Sequence, residues 1–173
     1  NARESLMKVF GMQHIGFTVP DLEQAVTFFT RHFGAVECLS TGLIDVDDAF
    51  MQRRLGVPGQ TRIEDIRVGT NLEIFRYSGD PEPDAPPRRN SQPGGFHLAF
   101  QVDDCHAAAD RLRAEGVDVL EGPTLVDRGP MEGLTWCYLR APWGMFLEIV
   151  SMDGPLGAER AGQPAQWSPV TGR

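Results

Sequence analysis

His14-Ile15-Gly16-Phe17-Thr18-Val19-Pro20-Asp21 decides the fold, because the chain repeats it as His97-Leu98-Ala99-Phe100-Gln101-Val102-Asp103-Asp104. In the first copy Ile15, Phe17 and Val19 point one way and His14, Gly16 and Thr18 the other, the period of a half-buried strand. Pro20-Asp21 ends it, and Asp21 stands three residues before Gln24 at capping-box spacing. Leu22, Ala25, Val26, Phe29 and Phe33 then recur at helical spacing, and Gly34 supplies the stop. Superposing the two copies on their histidines also aligns Phe17 with Phe100, Val19 with Val102, Asp21 with Asp104 and Ala25 with Ala108. Each copy later closes on an apolar strand that carries one glutamate, Asn71-Leu72-Glu73-Ile74-Phe75 and Phe146-Leu147-Glu148-Ile149-Val150. Such self-similarity implies one structural unit used twice.

The remaining segments fill in the same order. In the first half, Ala35–Ser40 reads as a strand, Ala49–Leu55 as a helix-compatible stretch after Asp45, Asp47 and Asp48, and Val57-Pro58-Gly59 as a break. Arg62–Val68 and Leu72–Tyr77 follow as strands joined by a Gly69-Thr70-Asn71 turn. Residues 79–95 hold five prolines and three glycines and form a linker. Beyond it lie a strand at 96–102, a helix at 104–115 with Ala108, Leu112 and the Arg111 stem on one side, and Gly116 as its stop. Strand Val117–Leu120, a Gly- and Pro-rich loop at 121–133, and strands Leu134–Leu139 and Met145–Val150 complete the second half. Residues 1–10 read as an arm or short helix, and 153–173 as a surface wrap or partly disordered tail. The expected organisation is therefore α+β: a first βαβββ module at 11–78, the linker at 79–95, a second βαβββ module at 96–152 and a tail.

The 173 residues are 41% hydrophobic and 23% charged, an ordinary globular composition. A net charge of −8 disfavours a nucleic-acid partner, which needs a basic face. Neither a continuous apolar run of membrane-spanning length nor a secretory leader pattern is present, so a cytoplasmic protein is expected. Cys38, Cys105 and Cys137 are odd in number and lack C-x-x-C spacing, which points to free thiols.

Chemistry is carried by the repeated pair. Glu73 and Glu148 interrupt strands that otherwise read as buried, where an ionised carboxylate is costly unless it is paired, hydrogen-bonded or metal-bound. His14 and His97 begin strands on the face opposite the large apolar residues. Two imidazoles and two carboxylates suit one divalent ion such as Zn²⁺, Ni²⁺, Co²⁺, Mn²⁺ or Fe²⁺, and leave it Lewis acidity toward a substrate oxygen. The plainer account is that each histidine is a satisfied core residue and that each glutamate pairs with an arginine, with Arg76 and Arg140 the candidates. Four such residues at matching places in two repeats favour the metal.

These motifs, with Gly95-Phe96-His97-Leu98-Ala99-Phe100 and Pro142-Trp143-Gly144-Met145 before the final strand, resemble the vicinal-oxygen-chelate superfamily over about residues 12–152. That group holds glyoxalase I, bleomycin-resistance proteins, epimerases and extradiol dioxygenases. The resemblance implies a curved mixed sheet cupping one ion, with His14, Glu73, His97 and Glu148 as ligands. Because a competent residue also stands at Glu73, it favours a methylmalonyl-CoA epimerase-like or glyoxalase-like enzyme, an epimerase, isomerase or lyase. Such an enzyme abstracts the proton α to a carbonyl of a chelating hydroxycarbonyl substrate through a metal-stabilised enediolate, with Glu148 or Glu73 as base. Trp136 and Tyr138 are candidate substrate-binding residues, and core packing is the competing account of both. Arg88-Arg89 and the charged residues of 121–133 are weaker candidates, while His32 and His106 are expected on helices and exposed. An Fe(II) dioxygenase using His14, His97 and Glu148 alone, and a ligand-sequestering resistance protein, are the alternatives. Relatives of this kind make a homodimer the default.

Overall fold

The computed structural model describes residues 12–44, 47–55, 59–79 and 85–171. Residues 1–11, Asp45, the Val57-Pro58 break, 80–84 of the proline-rich stretch and 172–173 lie outside them. The chain divides into two compact units, Asn1–Pro83 and Asp84–Arg173. The dividing point falls within 79–95.

The first unit runs β1 (His14–Thr18), α1 (Leu22–Phe33), β2 (Val36–Ile44), α2 (Asp48–Leu55), β3 (Thr61–Val68) and β4 (Thr70–Tyr77). Its sheet has the order β1-β4-β3-β2, with β1 parallel to β4 and the other pairs antiparallel. The second unit runs β5 (Leu98–Gln101), α3 (Cys105–Ala114), β6 (Asp118–Val119), β7 (Thr124–Leu125), β8 (Leu134–Arg140), β9 (Phe146–Met152) and α4 (Gly157–Arg160). Its order is β5-β9-β8-β6, with β7 also on β8 and β5 parallel to β9. Both units are thus mixed α+β, and in each the first strand returns beside the last.

The repetition extends to local geometry. Asp21 and Asp104 cap α1 and α3 with nearly identical backbone angles, φ −139°, ψ 110° and φ −140°, ψ 110°. Asp21 Oδ1 accepts from Gln24 N at 3.0 Å, and Asp104 Oδ1 from His106 N and Ala107 N at 2.8 and 3.1 Å. Val19 N donates to Phe75 O at 2.9 Å, as Val102 N does to Val150 O at 2.8 Å.

Alternation sends one side of each sheet to the helix. In the first unit Phe17, Val19, Ile66, Leu72 and Ile74 are buried with Leu22, Ala25, Phe28 and Phe29 of α1. Phe28 joins the expected stripe, and His32 is half-buried against the Phe28 ring at 4.9 Å rather than exposed. In the second unit Leu98, Cys137, Leu139, Leu147 and Ile149 are buried with Cys105, Ala109 and Leu112 of α3. This stripe advances four and then three residues from Cys105 and so excludes Ala108 and Arg111, the expected inner residues. Arg111 Nε instead reaches Glu115 Oε1 at 3.4 Å.

Several boundaries move. β2 continues to Ile44 because it follows β3 through two register shifts. Gly69 alone, at φ 73°, reverses the chain, so Thr70 and Asn71 belong to β4. The expected 121–133 loop contains β7. The tail is packed on its unit: Leu156 is buried, Arg160 Nη2 lies 2.8 Å from Glu132 Oε1, and Ser168 Oγ donates to Gln101 Oε1 at 2.7 Å.

Candidate metal centre

Each unit builds one histidine–glutamate pair, by the same register. In the parallel ladders Gly16 faces Glu73 and Ala99 faces Glu148, which puts the histidine two residues upstream in both. The period of two sets histidine and glutamate on the side of the sheet away from the helix. His14 Nε2 lies 3.5 Å from Glu73 Oε2, and His97 Nε2 lies 3.2 Å from Glu148 Oε2. Glu73 and Glu148 are 24% and 14% exposed, buried enough to need a partner and open enough to meet a ligand. Arginine is not that partner for Glu148: Arg140 Nη1 bonds Asp118 Oδ2 at 3.1 Å and lies 5.3 Å over the Phe146 ring.

The donor set fits a divalent ion. Two ligand atoms each about 2.1 Å from one ion stand roughly 3.0 Å apart at octahedral angles and roughly 3.4 Å at tetrahedral ones. Both observed N···O separations are of that size. Among the described residues, however, no group of three or more His, Cys, Asp or Glu gathers as a complete centre. The structure joins His14 to Glu73 and His97 to Glu148, and each unit supplies half of the expected ligand set.

The surroundings of the two pairs differ. Opposite Glu148 on β8 stands Tyr138, and opposite Glu73 on β3 stands Asp65. Tyr138 Oη is 3.4 Å from His97 Nε2, and its ring meets those of His97, Trp136 and Phe146 edge-on at 5.2, 5.7 and 6.4 Å. Trp136 and Tyr138, singled out as substrate-binding candidates, therefore stand half-exposed on the same face as Glu148, with Phe146 as a third aromatic. In the first unit Phe75 and Tyr77 stack at 5.5 Å beyond Glu73.

Burial pushes the Glu148 carboxyl above its ordinary range, and the His97 charge and hydrogen bond oppose this. Burial first, and then the Glu148 charge, raise the Tyr138 phenol, which stays a donor at neutral pH. Tyr77 is raised by burial and then by Glu73, against a lowering hydrogen bond from Thr61.

The weaker candidates have other partners or none in the pairs. Arg88 Nη1 donates to Pro93 O at 3.0 Å, and Glu132 is held by Arg160. Asp127 and Arg128 stand exposed beside each other. Sequence reasoning missed Gln13, whose Oε1 is hydrogen-bonded to His14 Nδ1. Its counterpart, Phe96, is apolar, so the duplication gave no signal there.

A family model described as the Glyoxalase/Bleomycin resistance protein/Dioxygenase superfamily matches residues 11–149. A 2-epi-5-epi-valiolone epimerase from Actinomyces sp is 44% identical over 152 residues, covering 85% of this chain and 81% of the relative. A mitochondrial methylmalonyl-CoA epimerase from Dictyostelium discoideum is 26% identical over 111 residues, 64% of this chain and 60% of the relative. Among solved structures, a glyoxalase family protein from Bacillus cereus superposes with a TM-score of 0.64 at 20% identity, covering 87% of this chain and 99% of that one. A mutant of the fosfomycin resistance protein FosX from Listeria monocytogenes, complexed with Mn(II) and a dihydroxypropylphosphonic acid, gives 0.52 at 20% identity, covering 82% and 90%. At these identities the structural likenesses speak to fold alone.

Proposed function

This chain belongs to the Glyoxalase/Bleomycin resistance protein/Dioxygenase superfamily, and we propose that it is an epimerase of a small hydroxyketone that works with one divalent metal ion. The duplicated histidine–glutamate pair carries this reading. His14, Glu73, His97 and Glu148 are its metal ligands, a set of nitrogen and oxygen donors suited to Zn²⁺, Ni²⁺, Co²⁺, Mn²⁺ or Fe²⁺. When bound, such an ion supplies charge stabilisation for a substrate oxygen as the neighbouring C–H proton leaves. This chain's residues do the rest. A carboxylate oxygen of Glu148 or Glu73 takes the proton α to the carbonyl, and a proton returns to the opposite side of the same carbon. Trp136, Tyr138 and Phe146 offer apolar faces and edges on which the substrate's carbon frame rests.

The relative at 44% identity bears the name of an epimerase of 2-epi-5-epi-valiolone, which supports a hydroxyketone. The relative that acts on a CoA thioester in name is more distant, and a net charge of −8 gives little welcome to a polyanionic tail. Three free thiols and the absence, among the described residues, of a helix able to cross a membrane support a cytoplasmic site of action. A homodimer is supported by β2, an edge strand on which Val36, Leu39 and Leu43 are 53%, 54% and 63% exposed.

The test is incubation with 2-epi-5-epi-valiolone in D₂O after loading with Mn²⁺, Co²⁺ or Zn²⁺, with methylmalonyl-CoA as the comparison substrate. Deuterium entering the carbon beside the ketone, with inversion and no O₂ uptake, is the expected result. Substrate-dependent O₂ consumption would move the assignment to a dioxygenase. No exchange with any of the three ions and no stoichiometric metal would leave a binding protein.

A further inference from the structure

The last residue of β5 shares the site face of its sheet. Ala99 lies across from Glu148 and Gln101 across from Val150, so the period of two sets Gln101 on the side that carries His97, Glu148, Trp136 and Tyr138. Two residues separate Gln101 from the row of Glu148, about 7 Å along the strand. Ala99, the residue between, is exposed and presents only a methyl group, which leaves the space beside Glu148 open. The first unit has no equivalent: superposing the copies on their histidines puts the shorter, exposed Thr18 at this place.

A segment 67 positions away holds the Gln101 side chain. Ser168 Oγ accepts from Val170 N at 3.1 Å and donates its own proton to Gln101 Oε1 at 2.7 Å. That separation is ordinary for O–H···O and short for N–H···O, so the amide oxygen is the atom that meets the hydroxyl. Both protons on Gln101 Nε2 are then turned away from the tail, and among the described residues they meet no acceptor. A half-buried amide with its oxygen tied and its nitrogen open is a directed donor on the site face.

We propose that Gln101 is a specificity-determining residue that donates from Nε2 to a hydroxyl oxygen of the substrate, and that Ser168 is the positioning residue that turns the amide that way. These roles rest on the epimerase reading above, with Glu148 beside the reacting carbon. They narrow the substrate class to ketones with a further hydroxyl some distance from the reacting carbon, and they make the C-terminal segment part of the site.

The test takes the full chain with 2-epi-5-epi-valiolone. The side-chain ¹H–¹⁵N signals of Gln101, identified by their loss in Gln101→Met, are followed with Zn²⁺ bound, and KM and kcat are measured with the most active of Mn²⁺, Co²⁺ and Zn²⁺. Substrate is expected to shift the Gln101 amide pair. Gln101→Met should raise KM about five- to tenfold, the worth of one hydrogen bond, with kcat largely kept. Ser168→Ala should raise KM by less, and Ser168→Thr, which keeps the hydroxyl, should restore it. A lower Tm in Ser168→Ala with KM unchanged would make the tail contact structural only and overturn the positioning role. Turnover with an unmoved Gln101 amide, or with KM unchanged in Gln101→Met, overturns the specificity role and leaves the epimerase reading standing. A wild type that neither binds nor turns over this hydroxyketone with any of the three ions sinks both.

Discussion

A one-residue step along β9 separates folding from chemistry. Leu147 is fully buried and lies in register between Leu98 of β5 and Leu139 of β8, on the side facing α3. Leu147→Ala removes three carbons, about 2.4 kcal/mol at roughly 0.8 kcal/mol per buried methylene. The cavity left in a row of leucines closes incompletely and brings the loss to about 3–5 kcal/mol. For a unit spanning residues 84–173, Tm falls by at least about 12 °C. Glu148 points to the other side, and Glu148→Gln removes a carboxylate that burial disfavours. Its metal-free Tm at neutral pH is expected to rise, while solvent-deuterium exchange into substrate falls by about 10²–10⁴-fold. Calorimetry and exchange measured at 15 °C, where the leucine variant is still folded, read both quantities. Leu147→Ala should then keep most of the wild-type turnover per folded molecule. The reasoning is refuted if Leu147→Ala leaves Tm nearly unchanged, or if Glu148→Gln unfolds the protein to the same degree.

Three further outcomes follow from the same geometry. Because the folded Glu148 carboxyl is raised, the stability its neutral form supplies is complete below about pH 4.3 and is lost as pH rises through the higher folded value. Melting curves should therefore show Glu148→Gln ahead of wild type at pH 7 and level with it at pH 4. Cys105 is pushed up to about 11 by burial, then by Cys137, Asp104 and Glu148, so its neutral thiol stabilises the fold below the ordinary thiol value and that contribution drains as pH climbs to about 11. Iodoacetamide at pH 8 should accordingly modify exposed Cys38 and spare Cys105 and Cys137, as intact-mass analysis will show. If the proposed dimer forms through the exposed edge strand, Leu39→Arg should give a monomer in light scattering where the wild type gives a dimer, with little change in Tm, whereas a dimer that persists would place the interface elsewhere.

The sequence made the α+β units legible where two copies agreed. Period-two alternation named Phe17 and Val19 as inward, and Asp21 and Asp104 as caps, because those signals are local and chemical. It placed Leu112 on the inner side of α3 but chose Ala108 where Ala109 is buried, since the two alanines look alike to any pattern and only packing against the sheet distinguishes them. It took residues 121–133 for a loop because a strand of two residues has no period to read. The histidine–glutamate pairs were legible as a repeat, but their common two-residue offset depends on strand register, which a single chain does not spell out. Gln13 was invisible for a related reason: it meets His14 through one side-chain contact, and the second copy carries Phe96 in its place.

The parallel pairing of first strand with last has a consequence for how the chain folds. His14 and Glu73 are 59 positions apart, and His97 and Glu148 are 51, so each pair joins the first strand of its unit to the last. Contacts of that separation carry a large loop-closure entropy, so they are expected to form after the local helix and hairpin. A unit cut short anywhere ahead of β4 or β9 keeps its histidine and has no glutamate to set beside it.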